Sequence, residues 1–414
     1  MMLRIKDYTT KVGSGVTPRG GAETYLDEGI PLFRSQNVTN VGFLMDDIAF
    51  ISEEVDESMK GTRVKPGDVL LNITGASIGR CFYTSDDFER GNVNQHVCII
   101  RPKKNKVKPD YLHYCIISDK GQQQIDLTQT GANREGLAVE DIKGFMFDIP
   151  SLPVQQRIVD YLDEKLTKID GRIDVLVKQK DTYVRLKKSI IHHAVTRGLN
   201  PDVPLKDSGI EWIGMIPEHW EVKRIKDLCS FVSRGSTPDY VDESDFPVMN
   251  QAVFSSGCIN HEVVRYSSYM KPESKIEKGD LLIASTGGGI LGKLYFFNIE
   301  DEQFYADTHV TIVRSPKKTF CVKFLYYLLS IGYNMINSCM AKGSTNQTEL
   351  QRDKLVAYEI AIPSIEEQTR IIDYLDEKCT KIDAAIENIS KQIDASKRLK
   401  RALINEVITG QRAV

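Results

Sequence analysis

Arg157-Ile158-Val159-Asp160-Tyr161-Leu162-Asp163-Glu164-Lys165 returns 213 residues later as Arg370-Ile371-Ile372-Asp373-Tyr374-Leu375-Asp376-Glu377-Lys378. Around it, Ile149-Pro150-Ser151-Leu152 returns as Ile362-Pro363-Ser364-Ile365, and Thr167-Lys168-Ile169-Asp170 as Thr380-Lys381-Ile382-Asp383. Two copies are too few for a solenoid, which needs about three units to build a continuous core. A tandem duplication predicts instead two similar modules related by a pseudo-two-fold axis. Its function should be one that uses two of the same thing.

Upstream the repeat is weaker. Arg4-Ile5-Lys6-Asp7 pairs with Arg224-Ile225-Lys226-Asp227, Gly15-Val16-Thr17-Pro18 with Gly235-Ser236-Thr237-Pro238, and Gly67-Asp68-Val69-Leu70 with Gly279-Asp280-Leu281-Leu282. Thr74-Gly75 pairs with Thr286-Gly287, His96-Val97 with His309-Val310, and Tyr111-Leu112 with Phe324-Leu325. Glycines, turn residues and apolar strand positions survive, which is what keeping a backbone requires. The loops differ: Thr130 to Leu137 faces Lys342 to Leu350 with unlike polar residues. Two readers of different targets fit this better than two copies of one active site, whose reactive residues should match.

Val69 to Ile73 and Val97 to Ile100 are short apolar runs that read as buried strands, and Tyr111 to Ile125 reads as helical. Pro153 marks the start of a long helix, where its missing N–H is harmless. Leu162, Ile169, Leu176, Tyr183 and Ile190 then recur every seven residues, with Val159, Leu166 and Ile173 between them. The second copy carries Leu375, Ile382, Ile389 and Leu403, with Ile372, Cys379, Ile386, Ile393 and Val407. A helix of ~45 residues is roughly 65 Å long, more than a small domain is wide, so the stripes predict a coiled coil. Lys180, Lys187, Lys400 and Ser396 interrupt the stripes at core-type positions, which suggests that those ends pack on something else. If module two has neighbouring termini, the second helix must run antiparallel to the first. The predicted fold is α+β: a module at 1–150, a helix at 151–198, a connector at 199–219, a second module at 220–362 and a second helix at 363–414. The helices form an antiparallel pair with the modules inverted at opposite ends.

Composition excludes several classes. No run approaches the eighteen or so apolar residues of a membrane span, and Met1 to Lys6 holds no secretory core, so a cytoplasmic protein is expected. Eight scattered cysteines form no CxxC pair and suggest neither zinc site nor disulfide framework. A net charge of −3 argues against DNA binding by bulk electrostatics. Gly287 to Lys293 formally fits GxxxxGK, but Leu294 stands where a P-loop needs Ser or Thr, so the segment reads as a hairpin turn. Asp110 with Asp141 and Lys143 mimics a nuclease set that the second copy lacks, with Lys354 and Val356 in the place of the last pair. His96 and His309 recur without a nucleophile or ligand spacing and read as structural.

Inverted modules on a two-fold axis match the dyad of duplex DNA, and the helix pair would act as a ruler between half-sites. A coiled-coil adaptor presenting two protein-binding modules without DNA contact could share this layout. At this point the chain resembles the specificity subunit of type I restriction-modification systems. The resemblance rests on Lys206-Asp207-Ser208-Gly209-Ile210-Glu211-Trp212-Ile213-Gly214 with Ile216-Pro217-Glu218-His219-Trp220-Glu221-Val222, the Gly-x-Thr-Pro step, Gly-Asp-[VL]-Leu followed by Thr-Gly, and the paired Tyr-Leu-Asp-Glu-Lys helices. It spans essentially the whole chain, and the first half lacks the Trp-containing lead-in. The resemblance implies a non-catalytic subunit with two target recognition domains. It would bind double-stranded DNA, direct two methyltransferase subunits to a bipartite site, and meet restriction subunits through the complex. S-adenosylmethionine, ATP and magnesium would belong to those partners, and no metal or cofactor to this chain.

Base readout uses Arg on guanine and Asn or Gln on adenine. The candidate clusters are Arg34-Ser35-Gln36-Asn37 and Asn133-Arg134 in the first module, and Asn250-Gln251 and Ser344-Thr345-Asn346-Gln347 in the second. Arg19, Arg80 and Lys293 are candidate DNA contacts, with Ser14, Thr17, Arg234, Ser236 and Thr237 behind them. Leu162, Ile169, Leu176, Leu375, Ile382 and Ile389 are the expected helix-pairing residues.

Overall fold

The computed structural model describes residues 2–129, 136–287, 289–315, 320–332, 336–343 and 348–414. The chain forms two compact units, Met1–Val177 with Ser390–Val414, and Lys178–Ile389.

In the first unit the central sheet is antiparallel, with β1 (Thr9–Ser14), β2 (Val69–Asn72), β3 (Cys81–Tyr83) and β4 (Val97–Pro102) in the order β1-β4-β2-β3. Alternate residues of a strand face opposite sides. Val69, Leu71, Cys98 and Ile100 accordingly join the core with Tyr111, Leu112, Cys115 and Ile116, whereas Leu70, Val97 and Ile99 join Phe33, Val38 and Val93 on the other face. Burial on both faces is why these strands read as unbroken apolar runs. The second face is covered by a smaller sheet of Ala49–Ile51, Ile30–Phe33 and Asn92–Val93, the last pairing parallel to Ile30–Phe33. Tyr111 to Ile125 is helical as expected, in two helices, Pro109–Ile117 and Asp119–Thr128. Ser118 turns extended between them, and its hydroxyl caps the second by accepting from the Gly121 N–H.

The second unit repeats this plan with β5 (Phe231–Arg234), β6 (Leu281–Ala284), β7 (Leu294–Phe296) and β8 (Val310–Arg314), ordered β5-β8-β6-β7. Leu281, Ile283 and Val313 face the core with Phe324, Leu325 and Leu328, and Leu282, Ala284, Val310 and Ile312 face Met249, Val253 and Phe254. Gly287–Lys293 lies between antiparallel strands β6 and β7, with positive φ at Gly287, Gly289 and Gly292, and among its described residues there is no helix of the kind a P-loop opens. The connector holds a short hairpin, Leu205–Asp207 with Met215–Pro217, which the Gly/Pro punctuation concealed. In each unit the module's two ends are strand-paired: Met2–Arg4 with Met146–Asp148, and Glu221–Arg224 with Glu359–Ile362. Trp220 adds a fully buried ring only in the second.

The long helices run Leu152–Arg197 and Ile365–Ile408. Within the first unit Val159, Leu162 and Leu166 share a core with Leu403, Ile404, Val407 and Ile408. Within the second, Ile191, Ala194 and Val195 share one with Ile371, Ile372, Leu375 and Cys379. In each unit the early turns of one helix meet the late turns of the other, which is antiparallel pairing. Leu162, Leu176, Leu375, Ile382 and Ile389 are buried and Ile169 is half-buried. Lys187 and Lys400, which seemed to break the stripes, are partners across the pair: Lys187 Nζ lies 2.6 and 2.7 Å from the Asp383 carboxylate, and Lys400 Nζ 2.7 and 2.8 Å from that of Asp170. Ser396 is buried with its hydroxyl on the Gln392 carbonyl.

Candidate nucleic-acid interface

In both units the polypeptide passes from the small sheet to the central one through a three-residue turn, Asn94-Gln95-His96 or Asp307-Thr308-His309. The Gly-x-Thr-Pro segment crosses this turn so closely that a Cβ on Gly15 would stand 2.1 Å from the Val93 carbonyl oxygen, and one on Gly235 1.8 Å from that of Ala306. Only glycine fits either place, which explains the retained Gly. The turn also binds the segment after β2 or β6: the Thr74 hydroxyl is 2.6 Å from His96 Nδ1, and that of Thr286 2.7 Å from His309 Nδ1. Thr74 pairs with Gly136 and Thr286 with Glu349, so the loops that differ most between the copies emerge beside these threonines.

Behind each turn an ion pair holds the sheet. Arg101 donates through Nε and Nη2 to Asp68, both at 2.7 Å, and Arg314 does the same to Asp280. Both carboxylates are buried. A fork from arginine satisfies both oxygens of each, the geometry that makes such a pair tolerable inside a fold.

The candidate readers divide by what their polar atoms already do. Asn37 is buried, accepts from the Arg34 N–H at 3.0 Å and donates to the carbonyls of Leu44 and Asp47. Arg34 donates to the Asp47 carbonyl at 2.7 Å, and the Ser35 carbonyl receives Asn72 Nδ2 at 2.7 Å. Gln36 is exposed and hydrogen-bonded to Asp47. Arg19 and Arg80 are exposed. In the second unit Asn250 caps a short helix, accepting from the N–H groups of Ala252 and Val253, and Lys293 Nζ donates to the Ser255 carbonyl at 2.9 Å. Gln251 lies 3.4 Å from the Thr286 hydroxyl. Thr17 donates to Gln95, Ser236 bonds Ser274 at 2.8 Å, Arg234 donates to the Leu350 carbonyl at 3.1 Å, and Ser14 lies on β1 opposite Cys98. Arg234, Ser236 and Thr237 line a cleft of about 440 Å³ with Thr308 and Tyr269. Asn133, Arg134 and Ser344 to Gln347 lie outside the described residues.

A second repeated feature sits where each module meets the helices. In the first unit Tyr114 donates to Asp163 at 2.5 Å, and Asp163, Thr167, Asp170 and Lys400 line a cleft of about 330 Å³. In the second, Tyr327 donates to Asp376 at 2.5 Å, and Asp376, Thr380, Asp383 and Lys187 line one of about 440 Å³. The charge differs at one place. Lys323 Nζ reaches Asp376 at 2.5 Å, whereas its counterpart Asp110 is a carboxyl raised by burial and, less strongly, by the Asp163 carboxylate. The entry to each helix is also duplicated: Gln155 accepts from the Lys108 N–H and donates to Pro150, and Gln368 accepts from the Cys321 N–H and donates to Pro363. Sequence reasoning passed over Gln155/Gln368 and Asp170/Asp383, although each pair falls at the 213-residue shift.

Cys81 Sγ lies 3.5 Å from His113 Nδ1. Burial pushes the thiol up and the imidazole down to about 3, so both are neutral at pH 7 and no thiolate is available. Leu294 and Tyr326 occupy these places in the second unit. Among the described residues no helix is long and apolar enough to cross a membrane.

Two copies of one α/β module, each packed within its unit on segments of both long helices, define a duplicated two-module architecture. The family model for the type I restriction modification DNA specificity domain matches residues 2–176 and again 217–395, and the chain belongs to that family. Its relatives include a putative type I restriction enzyme MjaX specificity subunit of Methanocaldococcus jannaschii, 22% identical over 98% of this chain and 92% of the relative. The type I restriction enzyme StySPI specificity subunit of Salmonella potsdam is 20% identical over 98% of this chain and 88% of its own. Among solved structures, a chain from work on complex assembly and conformational transition of the type I R-M system superposes with a TM-score of 0.77 at 16% identity, covering 99% of this chain and 97% of that one. The HsdS subunit from Thermoanaerobacter tengcongensis gives 0.53 at 16% identity, covering 100% and 97%.

Proposed function

We propose that this chain is the DNA specificity subunit of a type I restriction-modification complex, in which each module reads one half of an asymmetric bipartite site. One observation carries the reading. The two units keep the same backbone and corresponding helix-flanking clefts, while the loops beside Thr74 and Thr286 keep one asparagine, Asn133 and Asn346, and otherwise differ in polar content, with Arg134 facing Gln347 and Glu135 facing Thr348. Clefts built from corresponding residues suit two copies of one partner, the methyltransferase subunit, and unequal loops suit two unlike half-sites. The helix pair then sets the spacing between half-sites. Methyl transfer from S-adenosylmethionine and ATP- and magnesium-dependent cleavage are work for the partner subunits in the cytoplasm. The chain's net charge of −3 fits a division of labour in which partners supply many phosphate contacts and this chain supplies sequence readout.

Long-read methylation mapping tests this in cells expressing the chain with the methyltransferase encoded beside it. The expected result is a bipartite, non-palindromic methylated motif that vanishes when this gene is deleted. Methylation unchanged by the deletion, with the methyltransferase active, would overturn the reading.

A further inference from the structure

We propose that the threonine–histidine pairs Thr74–His96 and Thr286–His309 are backbone anchors, each holding a phosphodiester of the DNA beside its half-site. This deepens the proposed function and rests on it. The pairs have the same geometry, 2.6 and 2.7 Å between hydroxyl and Nδ1, and none of the four side chains is buried. Among the polar side chains around them some changed, Gln95 facing Thr308 and Ser35 facing Gln251, while the Gly-x-Thr-Pro segment that crosses the turn was kept. A polar group held constant between readers of unlike sequences cannot supply the difference in sequence. What it can recognise is what every duplex shares, the sugar-phosphate backbone, and phosphate contacts are the ones that fix register.

In the first unit one direction of the hydrogen bonds around His96 leaves a hydrogen on Thr74. Thr17 donates to the Gln95 side-chain oxygen, so the Gln95 amide N–H is the group facing His96 Nε2 at 2.8 Å. With Nε2 accepting from Gln95, Nδ1 is left to donate to the Thr74 oxygen. The Thr74 hydroxyl keeps its own hydrogen and has no acceptor among the described residues. In the second unit, besides its 2.7 Å contact with His309 Nδ1, the Thr286 hydroxyl meets the Gln251 oxygen at 3.4 Å among the described residues, a marginal bond that a phosphate oxygen would displace. His309 is exposed. Each threonine is bridged to the base of a divergent loop, Gly136 or Glu349. The constant donor therefore stands next to the variable reader, as an anchor must if it is to set the reader's register.

The test uses the complex of this chain with its methyltransferase and duplexes carrying the mapped bipartite motif or an unrelated sequence. T74V and T286V should each weaken binding to both duplexes by the same factor, roughly tenfold, as expected for one hydrogen bond to a charged group. T74S and T286S should restore it, and the methylated motif should not change. Independently of any variant, single neutral methylphosphonate substitutions along each half-site should reveal one position where the wild-type complex loses affinity and the matching valine variant loses no more. A changed motif in T74V or T286V would assign the pair to base reading and overturn the proposal. Unaltered affinity in both valine variants, or no position shared between phosphate and variant, would overturn it as well. If the wild-type complex did not prefer the bipartite duplex, the proposed function itself would fall, which is a distinct outcome.

Discussion

The same junction between the two sheets is held by charge in the first unit and by rings in the second. Asn92 and Tyr305 pair in parallel with Leu32 and Val248, at equivalent points. Around Asn92, the fully buried Asp56 carboxylate receives Arg63 at 2.7 Å, Arg90 at 2.6 Å and the Asn92 amide at 3.0 Å. Around Tyr305, Phe246 lies 5.2 Å from its ring and 5.9 Å from that of Tyr269, beside Met270 and Val248. Either filling serves, because a buried polar group with every atom partnered and an apolar cluster without voids are both acceptable interiors. The same backbone is therefore kept with unlike fillings at this junction. The constant features include the Asp68–Arg101 and Asp280–Arg314 pairs, which have the same geometry in both units.

If that contrast is right, the largest effects belong to the constant pairs. Asp68→Ala and Asp280→Ala each leave an arginine facing a vacated buried site, and urea denaturation should show losses of roughly 3–5 kcal/mol in both. A cost below ~1 kcal/mol for one alone would break the equivalence of the units. Phe246→Ala should cost about 2 kcal/mol, less than a fully buried ring because Phe246 is only half-buried, with no dependence on pH. A pH-dependent loss there would mean that the second junction is not apolar.

Acid should affect the first junction selectively. Burial alone would raise the Asp56 carboxyl, but hydrogen bonds from Arg90, Asn92 and Arg63 together hold it below its ordinary value. A depressed folded pKa gives stability that is present above the unfolded value, about 3.9, and is lost as pH falls through the folded one. Hydrogen exchange between pH 5 and pH 3 should thus show Asn92–Val93 losing protection before Tyr305–Ala306, and Asp56→Asn should remove that difference. Equal loss at both would count against the charge network. The smallest effect is expected from Lys187→Met and Lys400→Met. These ion pairs are partly solvated, so each change should stay within about 1 kcal/mol by thermal melting.

Much of the architecture was legible in the chain. The apolar runs at Val69 and Val97 announced strands because both their faces are buried, and the heptads announced paired helices because only one face is. The break at Ser118 was not legible, since a serine at a helix start and a serine within a helix look alike until its hydroxyl is seen to cap Gly121. Lys187 and Lys400 looked like flaws in a stripe because a lysine at a core position is tolerable only with a carboxylate opposite, and the opposite residue lies about 200 positions away. The reading residues were least legible. Asn37 and Asn250 have the amide chemistry of adenine readers, but the same donors and acceptors serve turns and helix caps, and there the backbone has engaged them.

By itself the sequence determined that there are two modules of one kind, that each ends in a long amphipathic helix, and that their loops are unlike. Periodicity and repetition are properties of the chain, visible without knowing what touches what. Tertiary structure alone decided which polar side chains are engaged and which face outward. Hydrogen bonds such as Lys400 to Asp170, Thr74 to His96 and Asn37 to Asp47 form between positions that only folding brings within 3 Å or so.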